Sequence, residues 1–116
     1  MDLTGAEKNQ QEVDDLVEAL DSKMFKALTD PTRTLLLKYL LLNGRSDVST
    51  IAAHMPQDRS VISRHLNMMA EAGLLVAKKE TRHRFYKLKG EAFLHEFEAI
   101  VKNIRTCMGR VRENEQ

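Results

Sequence analysis

From Arg59 to Asn67 the chain runs Arg-Ser-Val-Ile-Ser-Arg-His-Leu-Asn, and six of these nine side chains carry hydrogen-bond donors. A guanidinium offers a planar pair of N–H groups that matches the two acceptors on a guanine edge, or two oxygens of one phosphate. Serine hydroxyls reach a base edge or a phosphate, and an asparagine amide is the usual partner of adenine. A little further on, Lys79, Arg82, His83 and Arg84 gather cationic and imidazole side chains within six residues. That is the chemistry of phosphate and minor-groove contacts, which fix register and add affinity while carrying little sequence information. Together the two segments are suited to a polyanion with readable edges.

Such side chains need a helix and a hairpin beneath them, and the surrounding sequence supplies both. Asp58 is placed to cap a helix that runs from about 58 to 72 and stops at Gly73. On it Ile62, Leu66 and Met69 recur at i, i+4 and i+7, leaving Arg59, Ser60, Ser63, Arg64 and Asn67 on the opposite side. His65 is open between a DNA contact and packing beside the helix pair. Arg59, near the first turn, is open between a base edge, a phosphate and a surface salt bridge of little energetic value. A shorter helix precedes this one, with Ser49 as its expected N-cap and Pro56 as its stop. After it, residues 74–79 and 84–89 read as two strands around Glu80–His83, a hairpin over about 74–89.

The rest of the chain reads as helical support. Residues 1–11 are polar without a sustained period and are expected to be a mobile tail, as are residues 113–116. Apolar residues at 13, 16, 17, 20, 24 and 28 mark a helical stripe that Asp21-Ser22 interrupts. Asp30-Pro31 is an N-cap followed by proline at the first helical position, opening a helix that Asn43-Gly44 closes. Leucines surround that helix almost completely, which predicts a place at the centre of the core. A last helix from about Glu91 carries Phe93, Leu94, Phe97, Ile100, Val101 and Ile104. The expected architecture is mainly α with a small β-hairpin, one domain over 12–112.

Composition narrows the function. With 116 residues, 42% hydrophobic and 30% charged, the chain is of ordinary globular make-up. Its net charge of +1 hides a division: residues 1–30 hold three lysines against eight acids, whereas residues 59–89 hold eight lysines and arginines against two acids. A basic segment in a nearly neutral protein is the footprint of a phosphate-binding face. The five glycines form no phosphate loop, and no Ser-His-Asp or paired-carboxylate set stands out, so catalysis is not expected. Apolar runs are far shorter than the roughly 18 residues that span a bilayer, and one cysteine allows no disulfide within the chain. A cytoplasmic location is expected.

Three segments resemble one family. Met24-Phe25-Lys26-Ala27-Leu28-Thr29-Asp30-Pro31-Thr32-Arg33, Ser60-Val61-Ile62-Ser63-Arg64-His65-Leu66 and Glu71-Ala72-Gly73-Leu74-Leu75 are similar, in order and spacing, to the opening segment, recognition-helix core and wing junction of the ArsR/SmtB winged helix-turn-helix repressors. The resemblance covers roughly Met24 to Ile104. It implies DNA contacts at Arg59, Ser60, Ser63, Arg64, His65 and Asn67 on the reader helix, and at Lys79, Arg82, His83 and Arg84 on the wing. It also implies a homodimer joined through the first and last helices, on a palindromic duplex-DNA operator. The alternative is a winged helix used as a protein-interaction or non-specific architectural DNA-binding module.

What would switch such a repressor is less marked. Relatives that sense metals carry cysteines on the first helix of the pair, whereas Val48–His54 has none. A second family site on the last helix finds here only Glu91, His95 and Glu98, which share a helical face and are candidate ligands for a divalent metal ion, or simply a solvated surface. Cys107 is open between a small buried hydrophobe and an intersubunit disulfide acting as a redox switch.

Overall fold

The computed structural model describes residues 4–115. Its elements, in chain order, are α1 (Gly5–Leu20), α2 (Lys23–Ala27), α3 (Pro31–Asn43), β1 (Ser46–Asp47), α4 (Val48–Ala52), α5 (Arg59–Glu71), β2 (Leu75–Glu80), β3 (His83–Leu88) and α6 (Gly90–Glu115). The mainly helical winged architecture is as the sequence predicts. The chain nevertheless divides into two compact units, one of residues 23–93 and one built from its two ends, through Ser22 and from Leu94.

In the unit built from the ends, α1 starts earlier than its apolar stripe. Thr4 Oγ1 accepts from the Glu7 amide (3.2 Å) and the Glu7 carboxylate accepts from the Thr4 amide (3.4 Å), a reciprocal cap. Gln10–Asp14 and Gln11–Asp15 side-chain bonds one turn apart, 3.0 and 2.8 Å, support the polar first half. The tail expected over 1–11 is therefore helical from Gly5, and the one expected over 113–116 is helical to Glu115. Met1–Leu3 and Gln116 lie outside the described residues. Arg110 bonds the Glu12 carboxylate and the Asn9 carbonyl, while Cys107 Sγ lies 3.9 Å from the Glu12 carbonyl oxygen. Pairing 9 and 12 with 110 and 107 runs α1 and α6 antiparallel.

The central unit is assembled around α5. Ile62, Leu66 and Met69 are fully buried against Leu36 and Leu40 of α3, Val48 and Ile51 of α4, Leu74, Leu75 and Tyr86. Asp30 caps α3 as expected, its Oδ1 accepting from the amides of Thr32 (2.8 Å) and Arg33 (3.2 Å). At the other end of α5, Gly73 adopts φ +88°, and the amides of Gly73 and Leu74 bond Ala70 O and Met69 O, both 3.0 Å. This closing motif needs a residue tolerant of positive φ, and it turns the chain so that Leu74 and Leu75 enter the core. One expectation fails on α3. Leu35, Leu41 and Leu42 are exposed, Leu42 by 73%, because a unit of this size buries one side of the helix only.

The sheet is antiparallel in the order β1-β3-β2, which puts β3 in the middle. Tyr86 lies opposite Ser46 on one side and Ala77 on the other. Its ring is fully buried and its hydroxyl donates to Asn67 Oδ1 on α5. Burial raises the phenol above its ordinary range, so it remains a donor. Tyr86→Phe strands the Asn67 oxygen and is expected to cost about 1–3 kcal/mol. Thermal unfolding followed by circular dichroism should show a melting temperature several degrees lower with the native helix content unchanged.

Candidate nucleic-acid interface

With Ile62, Leu66 and Met69 turned inward, the opposite face of α5 is set by helical geometry alone. Ser60 and Arg64 stand exposed on it, Arg59 is exposed at its first turn, and Ser63 is half-buried. The two sides of the helix between core and outer face are occupied. On one, Asn67 is held by Tyr86. On the other, Arg33 of α3 donates from Nε to His65 Nδ1 at 3.3 Å and reaches Met68 Sδ at 3.6 Å. Accepting at Nδ1 leaves the proton of a neutral His65 on Nε2. His65 and Asn67 thus brace the helix, and Ser60 and Arg64 stand exposed between them. Asp58 occupies the N-cap position without making a side-chain cap bond, which leaves the first-turn amides of α5 uncapped by a side chain.

The hairpin presents the second group. Lys79 of β2 lies directly opposite Arg84 of β3, and Glu80 opposite His83. Two cations facing each other across a sheet repel, an arrangement that a phosphate between or beside them relieves. Arg82 is exposed in the two-residue turn beside Thr81, whose φ of +53° is unusual for a β-branched residue. Arg84 lies 5.6 Å from the centre of the Tyr86 ring. His83 differs from its neighbours: its Nδ1 is 3.1 Å from Asp47 Oδ2, which ties the hairpin to the start of α4.

Three features here escaped the sequence reading. The two-residue strand β1 leaves no alternation to detect. Asp47, rather than Ser49, caps α4, its Oδ1 accepting from the Thr50 amide at 3.0 Å. Arg45 stacks over the Phe85 ring at 3.9 Å and pairs with Glu80 at 2.6 Å, which adds a cation near the turn end of the hairpin. The Asn43-Gly44 stop just before Arg45 was the available signal that a new element begins there.

Comparison with known proteins decides the family. The profile of the bacterial regulatory protein, arsR family, matches residues 30–76. An uncharacterized helix-turn-helix-type transcriptional regulator of Methanocaldococcus jannaschii is 40% identical over 65 residues, 56% of this chain and 73% of that protein. The chain belongs to the arsR family. An ArsR-like transcriptional regulator from Rhodococcus sp. RHA1 superposes with a TM-score of 0.67 at 25% identity, covering 97% of this chain and 95% of that one. A homodimeric winged helix-turn-helix DNA-binding domain from Mycobacterium bovis has the same fold, with a TM-score of 0.60 at 24% identity and 91% of each chain covered. In this arsR-family chain α4, α5 and the hairpin β2–β3 make up a winged helix-turn-helix.

The effector candidates of this arsR-family chain are placed as follows. Glu91, His95 and Glu98 are all exposed on α6, and among the described residues no three His, Cys, Asp or Glu side chains group as metal ligands. Cys107 is half-buried, its thiol toward the Glu12 carbonyl of the same chain, as suits a small packed side chain.

Bonds from Thr50, with a further contribution from His83, hold the Asp47 carboxyl below its ordinary range. A carboxylate depressed on folding stabilises the protein above its unfolded pKa, and that stabilisation disappears as pH falls through the folded value. Melting temperatures of the wild type and Asp47→Ala, compared from pH 7 down to pH 2, should differ most at neutral pH and converge as Asp47 is protonated.

Proposed function

We propose that this arsR-family regulator is a homodimeric repressor that occupies a palindromic promoter site on duplex DNA in the cytoplasm and so blocks polymerase, until an effector not yet identified relieves it. Ser60 and Arg64 read base edges in the major groove. Arg59 and the cations Lys79, Arg82 and Arg84 hold phosphates, with His83 beside them, and His65 and Asn67 act by positioning α5. The observation that carries the reading is the isolation of Ser60 and Arg64 on the outward face of a helix anchored on both flanks. A helix so presented fits a groove about 12 Å wide. No described helix is long and apolar enough to cross a membrane.

The dimer is supported by the unit built from the chain's ends. Val13, Val17 and Leu20 of α1 and Leu94, Val101, Ile104, Met108 and Val111 of α6 are large apolar side chains left exposed, Val17 by 60%. Surfaces of that kind mark association sites. The neighbour from Mycobacterium bovis, described as homodimeric, agrees with a second copy as the occupant. A twofold pair of α5 helices then requires half-sites about one helical turn, roughly 34 Å, or a multiple of it apart.

Fluorescence anisotropy on the chain's own upstream DNA and on a scrambled duplex tests this reading. Tight binding confined to the upstream DNA is the expected result, and equal weak binding to both would favour a non-specific architectural role. Arg64→Ala should shrink the gap between the two DNAs by about 1–3 kcal/mol for each copy, roughly fivefold to 150-fold. Arg82→Ala should weaken both alike and reduce the log–log salt slope by about 1.8, the contribution of two phosphates, one for each copy.

A further inference from the structure

Leu35 and Leu42 have no place in the core, and they stand on the same side of α3 as Lys38 and Tyr39. That side faces His54 and Met55, just beyond the end of α4, across an open cavity of about 220 Å³. Leu35, Leu42, Met55 and the tilted ring pair Tyr39–His54, with centroids 5.2 Å apart, give it apolar and aromatic walls. Lys38 is the one charged residue of the lining, and α3 contains no acid. Among the described residues Lys38 has no ion pair. His54 donates from Nδ1 to the Thr50 carbonyl at 2.9 Å, which makes Nε2 of the neutral ring an acceptor.

These groups specify one kind of occupant. A cavity of about 150 Å³ holds a benzene ring, so this one holds a ring with one or two small substituents. A lone cation against apolar walls is matched by a single negative charge, as on a carboxylate, whereas a phosphate dianion asks for a second cation that the lining lacks. An accepting Nε2 on His54 is matched by a ring hydroxyl, and the Tyr39 and His54 rings by an aromatic face or edge. We infer that this cavity binds a small hydroxylated aromatic carboxylate, with the carboxylate on Lys38 and the hydroxyl on His54 Nε2, and that such a compound is the effector of the regulator. The effector role rests on the DNA-binding reading above; the site does not. One wall of the cavity is α3 and the other is the segment joining α4 to α5, which Gln57 also holds to α3 through a 3.0 Å bond from Nε2 to Thr32 Oγ1. A compound wedged there acts on the link that sets α5 relative to α3, and its binding is thereby coupled to that of DNA.

Isothermal titration calorimetry of the full chain without DNA tests the site, with 3- and 4-hydroxybenzoate as probes. At least one should bind with a dissociation constant of about 0.1–1 mM, and 4-hydroxybenzyl alcohol, which lacks the carboxylate, should bind at least tenfold more weakly. Lys38→Met, which keeps the apolar stem, should weaken the hydroxybenzoate tenfold or more, and His54→Phe, which keeps a ring, should remove its advantage over benzoate. Both side chains are exposed, and native helix content is verified by circular dichroism. No binding of either hydroxybenzoate, or binding that Lys38→Met leaves unchanged, would overturn the site. Anisotropy on a random-sequence duplex then tests the regulation. With saturating hydroxybenzoate, against sodium acetate at equal ionic strength, DNA affinity should fall threefold or more in the wild type and hold in Lys38→Met. Unchanged DNA affinity of a wild type that binds the probe would overturn the effector role, whereas no binding to any duplex in the absence of the probe would overturn the DNA-binding reading instead.

Discussion

The burial of Ile62, Leu66 and Met69 sets the rotation of α5, and most of the central unit takes its meaning from that setting. Each residue along a helix advances about 100°, so a turn of one position would carry Arg64 toward the core and Ile62 into water. Burying an unpaired guanidinium costs several kcal/mol, and exposing three apolar side chains forfeits about 1.5–3 kcal/mol apiece. Neither Ser60 nor Arg64 contributes to this choice. Their outward direction follows from what their neighbours bury. The bonds from Tyr86 to Asn67 and from Arg33 to His65 then hold the orientation from both sides.

Around this rigid centre, the outer face and the hairpin collect small local costs. Lys79 faces Arg84 across the wing, Thr81 holds a positive φ, and the first turn of α5 has no side-chain cap. Like charges directly opposed cost a fraction of a kcal/mol, and positive φ at a β-branched residue costs about 1–3. Both fall where a polyanion is proposed to bind, and the buried core of the unit offsets them. Asp47 links the two regions: it caps α4 through Thr50 and meets His83 through its other oxygen. Wing and helix-turn-helix are thereby joined at the sheet edge as well as through Tyr86.

Local rules made part of this fold legible and left part of it hidden. The start of α3 at Asp30-Pro31, the stop at Gly73, the stripe of α5 and the hairpin are each written within a few residues, and each is where the sequence puts it. Asp47 and Ser49 are both good capping residues two positions apart, so side-chain type alone did not choose between them. The early start of α1 rests on the Thr4–Glu7 cap and polar pairs, which an apolar periodicity does not register. The leucines of α3 misled because composition says how apolar a helix is, not how many neighbours surround it. Arg33 and His65 are separated by 32 positions, and no local pattern encodes such a contact. The donor set Arg59, Ser60, Ser63, Arg64 was legible as a face, whereas the bracing tasks of His65 and Asn67 required the packing.

The small number of outward readers bears on assembly. On the proposed reading, one copy offers Arg64 as a bidentate partner and Ser60 as a weaker one. A good bidentate contact discriminates by about 1–3 kcal/mol, so a single reader helix supplies about 2–4. Specific DNA binding typically exceeds non-specific binding by about 4–10 kcal/mol. One copy therefore falls at or below the lower edge of that range, and two copies on a palindrome reach its middle. Phosphate contacts do not close the difference, because they strengthen binding to every sequence alike. The exposed apolar faces of α1 and α6 and the sparse reading face of α5 thus favour the same arrangement from independent directions: association through the first supplies the discrimination that the second lacks alone.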